Sequence, residues 1–321
     1  MQPPVLSSMS FLVLGGGGFM GTNLCLRLVA AGARVRAFGR SRAFPDELAR
    51  VEWRQGDLAD TAALASAIAS CDVVFHLAQA ATPQSANLDM AADLRDCIMP
   101  TLALLEVCRK ANVKRVVFIS SGGTVYGAAK EMPTPETAST DPITAYAIGK
   151  LTIEKFLGLY EHLHALSFRV LRVANPYGPF QLPAKAQGLV AMLLSRAIAR
   201  RSTEIWGDGS VVRDYVFIDD VVDALLAAAV DDSSERIFNI GSGRGRSVRE
   251  VIAAVEAELG APVPIVWTPG RAIDVPVSVL SIERARSVLD WTPKTEFAEG
   301  LRRTVMWWRA REPMMAIGRN G

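Results

Sequence analysis

The chain has 321 residues, half of them hydrophobic, and a formal net charge of +2. That length supports a large core and one or two domains, and no basic run exceeds the Arg200-Arg201 pair, which disfavours nucleic acid as a partner. The apolar stretch from Phe11 is cut by four glycines, Asn23 and Arg27, so it is not a membrane span and no membrane partner is expected.

Residues 1–8 lack a basic n-region, so no signal peptide is expected. Met1 to Ser8 reads as a loose leader, with Met9 as an alternative start. Cys25, Cys71, Cys97 and Cys108 are scattered without CxxC or metal spacing. They read as reduced thiols of a cytoplasmic protein, and no metal is expected.

Phe11 to Leu14 has the length and apolarity of a strand. Gly15-Gly-Gly-Gly18-Phe19-Met20-Gly21 follows, and Leu24, Leu28 and Val29 then fall at helical spacing. A strand-to-helix turn of this kind is where a dinucleotide pyrophosphate docks on a helix N-terminus. Gly15, Gly18 and Gly21 suit a tight turn, a close approach to phosphate and close packing of helix on strand, with Phe19 and Met20 beside the phosphates. A glycine-rich turn without a ligand is the plainer alternative.

Ala33 to Phe38 is a second strand. A carboxylate at its end would hold the ribose hydroxyls of NAD, but the sequence there is Gly39-Arg40. Glycine leaves room for a 2′-phosphate and an arginine can pair with it, so the cofactor is read as NAD(P), with NADP favoured over NAD. A solvated Arg40 beside bound NAD is the alternative.

Val51 to Gly56 leads into Asp57-Leu58, a strand end placed beside the adenine. Asp60 is expected to cap a helix running through Ser70. Asp72 to Ala78 is the next strand, and its end, Leu77-Ala78, would lie along the cofactor. His76 has no ligand-spaced partner and reads as structural. Met90 to Ala111 is helical, with Pro100 as a kink or break. Arg115 to Ser120 is a further strand. Alternating strands and helices predict an α/β fold with a parallel sheet.

Tyr146 and Lys150 open an amphipathic helix, and a spacing of four puts them on one face. A nearby ammonium favours the phenolate and lowers the tyrosine pKa, so that Tyr146 can take a proton from an alcohol. The pair follows the turn Ser120-Ser121-Gly122-Gly123-Thr124-Val125-Tyr126-Gly127.

With these motifs assembled, the chain resembles the extended short-chain dehydrogenase/reductases, and among them the nucleotide-sugar epimerases of the UDP-glucose 4-epimerase type. The resemblance runs from about Phe11 to Trp308. It continues through Arg172-Val-Ala-Asn175-Pro-Tyr-Gly178, Gly207-Asp208-Gly209, Arg213-Asp214-Tyr215, Asp219-Asp220, Asn239-Ile-Gly241-Ser-Gly243, Arg271-Ala-Ile-Asp274 and Trp291-Thr-Pro-Lys. It implies that Tyr146 and Lys150 are catalytic and that Lys150 also holds the nicotinamide ribose. It implies that Asn175, Arg213, Arg271 and Asp274 bind a nucleoside diphosphate sugar. For the arginines, salt bridges to Asp214 and Asp274 are the alternative. Asp219 and Asp220 are expected to cap the following helix. Gly241 to Gly243 are expected to turn beside the nucleotide base.

The chain departs from the family pattern at four places. The substrate-contacting Ser or Thr is Gly122, so its role falls to Ser121 first and Thr124 second. The Asn of the preceding helix is Cys97. A Lys found near the nicotinamide is Ala81, and the acidic ribose residue is Gly39. Dehydratases and decarboxylases of the family carry acidic groups after the turn's Thr. Gly123 and Thr124 stand there, which disfavours both reactions. Epimerisation through a 4-keto sugar is the leading reading. The alternatives are an NADPH-dependent reductase of a 4-keto sugar or other small carbonyl compound, and a non-catalytic NAD(P)-binding regulator. The intact Tyr146 and Lys150 argue against the last.

The expected architecture is a Rossmann-type doubly wound parallel sheet with a smaller C-terminal substrate domain. Residues 9–176 would form the first, with about 211–232 returning to it, and 177–321 the second. The resemblance also implies a homodimer formed through the helices near Met90–Ala111 and Thr144–Leu163. The end from Arg309 is expected to be loose.

Overall fold

The computed structural model describes residues 6–79, 83–183, 188–271 and 275–317. Strands β1 (Ser10–Leu14), β2 (Arg34–Gly39), β3 (Glu52–Gln55), β4 (Val73–His76), β5 (Arg115–Ser121) and β6 (Phe168–Val173) are all parallel. With β10 (Ile237–Ile240) they form one sheet in the order β10-β6-β5-β4-β1-β2-β3. β1, β4 and β6 are buried along their whole length, as expected for a sheet covered on both faces by crossover helices. The β1/β4 boundary is where the strand order reverses. A crevice forms there beyond the carboxyl ends of the strands.

The seventh strand, β10, lies beyond the 211–232 segment expected to return to this domain. The segment after β6 leaves the sheet as β7 (Asn175–Tyr177), which pairs with β9 (Val212–Phe217). β9 also carries β11 (Gly245–Ser247) and β13 (Val277–Ser278). β8 (Thr203–Trp206) and β12 (Ile265–Thr268) make a separate parallel pair. These short strands lie outside the seven-stranded sheet, with the later helices. Trp291, Trp307 and Trp308 are buried.

The helix after the glycine turn, α1, spans Phe19–Ala30. The helix Thr61–Ile68, α2, starts at Asp60, whose carboxylate accepts from the Ala62 and Ala63 amides. The Met90–Ala111 stretch is not one kinked helix. After a short helix α3 (Pro83–Leu88), it runs as α4 (Met90–Asp93), a π turn over Leu94–Ile98 and α5 (Met99–Lys110). Pro100 lies in the first turn of α5, where a missing N–H costs little, and the break falls in the π turn before it.

Helix α6 (Ala145–His164) is capped by the Thr144 side chain and ends at Ala165 in the left-handed region. Its buried residues Ala147, Lys150, Ile153, Glu154 and Leu157 recur at spacings of three and four, which sets one face against the sheet.

Helix α8 (Ile218–Val230) has Phe217 at its N-cap with no capping side chain. Asp219 and Asp220 are thus not caps. Asp220 is buried and accepts from the Lys294 and Thr295 amides, and its carbonyl accepts from the Trp291 indole. It fastens the Trp291-Thr-Pro-Lys segment to the helix.

Described residues toward either end are anchored more firmly than composition suggests. Leu6, within the expected leader, is buried. The last helix, α11, spans Phe297–Ile317, and Arg311 on it pairs with Glu47. Among the described residues, no helix is long and apolar enough to cross a membrane. All four cysteines are buried and outside any disulfide.

Candidate active site

The glycine turn is built by contacts that exclude side chains. Gly15 has φ +79° and donates to the Phe38 carbonyl at 2.8 Å, tying the turn to β2. A Cβ at Gly21 would stand 2.2 Å from the Gly15 carbonyl oxygen, so α1 packs directly on the turn. Gly18 differs: a Cβ there would meet nothing closer than the Gly15 oxygen at 3.4 Å. Gly18 is the N-cap of α1, and no side chain caps that helix end. The first turn of α1 thus presents its amides to open space, as an anionic pyrophosphate requires.

A cavity of about 610 Å³ opens at this turn, within the range of small-molecule sites. Gly15, Gly18, Phe19 and Met20 form one wall. Arg40, Asp57 and Leu58 line the end near β2 and β3, and Leu77 and Ala78 the side beyond β4. The Asp57 carboxylate accepts from the Ala59 amide, and Gln55 donates to the Arg40 carbonyl. These nine residues were expected to meet the cofactor, and the fold brings them to one cavity. An uncapped helix end, glycine where phosphate must approach and a cation at the ribose end suit a nicotinamide dinucleotide.

The π turn contributes Arg95, Asp96 and Cys97 to the opposite wall. Their place in the wall had no signal in the periodicity, because a π turn shifts the helical register.

His76 also lines the cavity. Its Nε2 lies 2.9 Å from the Thr101 hydroxyl, which donates its own proton to the Cys97 carbonyl at 2.6 Å. Thr101 must therefore accept from His76, so Nε2 carries the imidazole proton and Nδ1 is a buried lone pair without a partner. Burial, helped by the Lys150 charge, pushes the His76 pKa down to about 3.

Tyr146 and Lys150 share one face of α6, beside Phe118 and Cys97 of the cavity wall. Lys150 Nζ donates to the Ile119 carbonyl at 2.9 Å and stands 4.7 Å from the Phe118 ring centroid and 5.8 Å from that of Tyr146. Burial pushes the Lys150 pKa down to about 8, against an upward pull from Cys97, Asp93 and Glu154. The expected lowering of the tyrosine pKa by Lys150 is not found in this arrangement. Burial pushes Tyr146 up to about 12, opposed by a hydrogen bond with the Ser121 side chain. Desolvation of the phenol wins because the ammonium is turned to a backbone carbonyl rather than to the phenol oxygen.

Ser121 ends β5 and is half-buried. Thr124 has a buried hydroxyl without a hydrogen-bond partner. A Cβ at Gly122 would stand 2.4 Å from Leu280 Cδ1 and 2.8 Å from the Arg172 carbonyl oxygen. Position 122 therefore faces Leu280 and β6, and Ser121 is the hydroxyl that reaches Tyr146.

Asn175 stands beside the turn, where a Cβ at Gly123 would lie 3.9 Å from its Nδ2, and it donates to the Asp214 carbonyl. Arg213 donates to the Val212 and Val275 carbonyls. Arg271 stacks on Trp206, with Cζ 4.0 Å from the ring centroid. Asp274 lies outside the described residues, as does Ala81. Asp214 is buried and accepts from the Ser242 amide and hydroxyl and from the Gly243 amide. Ser242 and Gly243 line a second cavity of about 340 Å³, with Tyr215 and Phe297.

Sequence reasoning missed the support under the site. Glu154 continues the Tyr146, Lys150 series by four more residues. It takes a bidentate contact from Arg172 and a hydrogen bond from Ser120. That spacing was the signal available for it.

Residues 11–241 match the family model described as NAD dependent epimerase/dehydratase. A UDP-glucose 4-epimerase of Mycolicibacterium smegmatis is 37% identical over 94% of this chain and 99% of that protein. A crystal structure of UDP-glucose 4-epimerase with UDP-glucose from Thermotoga maritima superposes with TM-score 0.90 at 35% identity, covering 94% of this chain and 99% of that one. The Thermus thermophilus UDP-glucose 4-epimerase in complex with NAD gives TM-score 0.87 at 33% identity, with the same coverage.

Proposed function

The chain belongs to the NAD-dependent epimerase/dehydratase family, and from that membership we propose that it is a nucleotide-sugar 4-epimerase of the UDP-glucose/UDP-galactose type. The observation that carries this reading is Ser121, Tyr146 and Lys150 held together beside a cavity with an uncapped glycine turn. When bound, a nicotinamide dinucleotide supplies a reversible hydride acceptor. Tyr146 takes the proton from the sugar O4 and later returns it. Ser121, whose hydrogen bond opposes the rise in the Tyr146 pKa, orients that oxygen, with Thr124 beside it, and Lys150 would hold the nicotinamide ribose. Arg213 and Arg271 hold the diphosphate, Asn175 hydrogen-bonds a phosphate or the sugar, and Asp274 contacts the substrate away from the phosphates. Gly123 and Thr124 offer no carboxyl group for dehydration.

Finer features of this reading are also proposed. Arg40 in the cavity wall and Gly39 in place of a carboxylate favour NADP over NAD. The same feature supports the second reading, an NADPH-dependent reductase. The protein is proposed to be a cytoplasmic homodimer. Met90, Leu94 and Met99 on one segment, with Ile148, Leu159 and Leu163 on α6, are exposed apolar residues that a partner copy would cover.

The test is incubation of purified protein with UDP-glucose, UDP-N-acetylglucosamine and their galacto epimers. Trace NAD or NADP is added in separate tubes and the anomeric protons are followed by NMR. Interconversion with catalytic cofactor is expected. Its absence from folded, cofactor-binding protein, with turnover of 4-keto sugars by stoichiometric NADPH, would establish the reductase instead.

A further inference from the structure

A buried ammonium is costly unless charge or hydrogen bonds compensate it. Lys150 is 4% exposed and donates a hydrogen bond to the neutral Ile119 carbonyl. Glu154, one turn along the same helix, is held by Arg172 and Ser120. Asp93 differs. It ends α4, is 4% exposed, and its Oδ1 has no hydrogen-bond partner. Among the described residues no lysine or arginine forms an ion pair with it. Its Oδ2 rests on the backbone of α6, where a Cβ at Gly149 would stand 2.7 Å away. Gly149 lies between Tyr146 and Lys150, so the carboxylate presses on the helical turn that carries both.

We propose that Asp93 is a positioning residue for the catalytic pair: its carboxylate, seated on Gly149, is the counter-charge that keeps Lys150 an ammonium and retains a proton on the Tyr146–Lys150 pair. The inference rests on the reading of Tyr146 and Lys150 as the catalytic pair. The other groups facing the pair leave this task to Asp93. His76 of β4 is neutral, because burial holds its pKa near 3. Cys97 of the π turn is a buried thiol. The Glu154 charge is balanced by Arg172 of β6, and β5 presents the Ser121 hydroxyl. Behind the effect of burial, Cys97 and then Asp93 pull the pKa values of Tyr146 and Lys150 upward together, and of these two Asp93 is the carboxylate. A glycine at position 149 is what lets a carboxylate approach so closely.

The test is Asp93→Asn, which keeps the shape and removes the charge. In the cofactor-loaded protein, both limbs of the pH–rate profile should move toward acid by about one pH unit. The ¹⁵Nζ resonance of Lys150 should titrate lower by a similar amount. Loss of activity with both limbs and the Lys150 titration unmoved would reduce Asp93 to packing and overturn the proposal. Should Asp93→Asn fail to fold, Gly149→Ala displaces the carboxylate and should shift the Lys150 titration in the same direction; an unmoved titration there would equally overturn it. The NMR titration needs no sugar substrate. Failure of the epimerase reading would appear as inactivity of the wild-type protein on UDP-sugars, whatever Asp93→Asn does to Lys150.

Discussion

Arg172 Nη2 lies 2.6 Å from Glu154 Oε2, with 4% and 2% of the two side chains exposed. The pair is held on every side. Arg172 also donates to the Tyr126 hydroxyl, which donates to Asn239 Oδ1, and Asn239 donates to the Thr134 carbonyl. One network thus joins α6, β6, the turn after β5, and β10. Removing one partner leaves an uncompensated buried charge, which costs about 3–5 kcal/mol. Glu154→Ala should lose that much stability in urea unfolding. The double variant Glu154→Leu with Arg172→Met should lose less than the sum of the single variants. Additive losses would show that the pair is not coupled.

Tyr146→Phe removes a proton carrier and leaves the ring in place. Turnover should fall by about 10²–10⁴-fold, the usual contribution of a general acid–base group, with unchanged circular dichroism. Lys150→Met should fall comparably. Unchanged turnover in Tyr146→Phe would sink both the epimerase and the reductase readings.

The parts of this site that follow from local rules were legible in the sequence. The glycine turn, the Asp60 cap and the Tyr146/Lys150 face each depend on a few neighbouring residues and a fixed spacing. The cofactor wall could be placed because strand ends in a parallel sheet share one edge. What escaped depends on distant residues or on altered register. The π turn that brings Arg95, Asp96 and Cys97 to the cavity wall breaks the period that sequence reading relies on. The seventh strand is four residues long and pairs with β6 across a long excursion. Asp219 and Asp220 have the composition of caps, yet Asp220 serves a segment some seventy residues later. Burial of the Tyr146 hydroxyl outweighs the lysine, a balance that spacing does not reveal.

The glycine turn offers a paired test. At Gly18 an added methyl enters open space, at 3.4 Å from its nearest neighbour, whereas at Gly21 it would stand 2.2 Å from a backbone carbonyl. Gly18→Ala should keep the melting temperature of the cofactor-free protein and weaken dinucleotide binding, because the methyl occupies the phosphate approach. Gly21→Ala should lower the melting temperature itself. Equal loss of stability in both variants would remove the distinction between phosphate cradle and packing glycine.

Arg40 tests cofactor choice. A charge-assisted hydrogen bond to a 2′-phosphate contributes about 1.5–3 kcal/mol, so Arg40→Ala should weaken NADP binding by roughly tenfold or more and leave NAD binding nearly unchanged. Gly39→Asp should reverse the preference. The added Cβ would lie 3.4 Å from Trp53, an ordinary contact, so the fold should accept it. Titration calorimetry with each dinucleotide reads both effects. Parallel losses for NAD and NADP in Arg40→Ala would mean that Arg40 does not meet the 2′-phosphate.

His76 gives the stability of the protein an acid slope. Its pKa is held near 3 in the fold against an ordinary value of 6.5. Between those values the unfolded chain binds a proton that the folded chain refuses. Stability from this residue is therefore fully present above about pH 6.5 and is lost progressively as the pH falls toward 3. His76→Gln can still donate to Thr101 and has no titrating ring. It should be less stable at pH 7, because the buried packing changes, yet show a shallower decline from pH 6.5 to pH 4. Urea unfolding at half-unit pH intervals reads the two slopes. Parallel slopes would show that His76 is already charged in the folded protein, and the buried lone pair assigned to Nδ1 would fall.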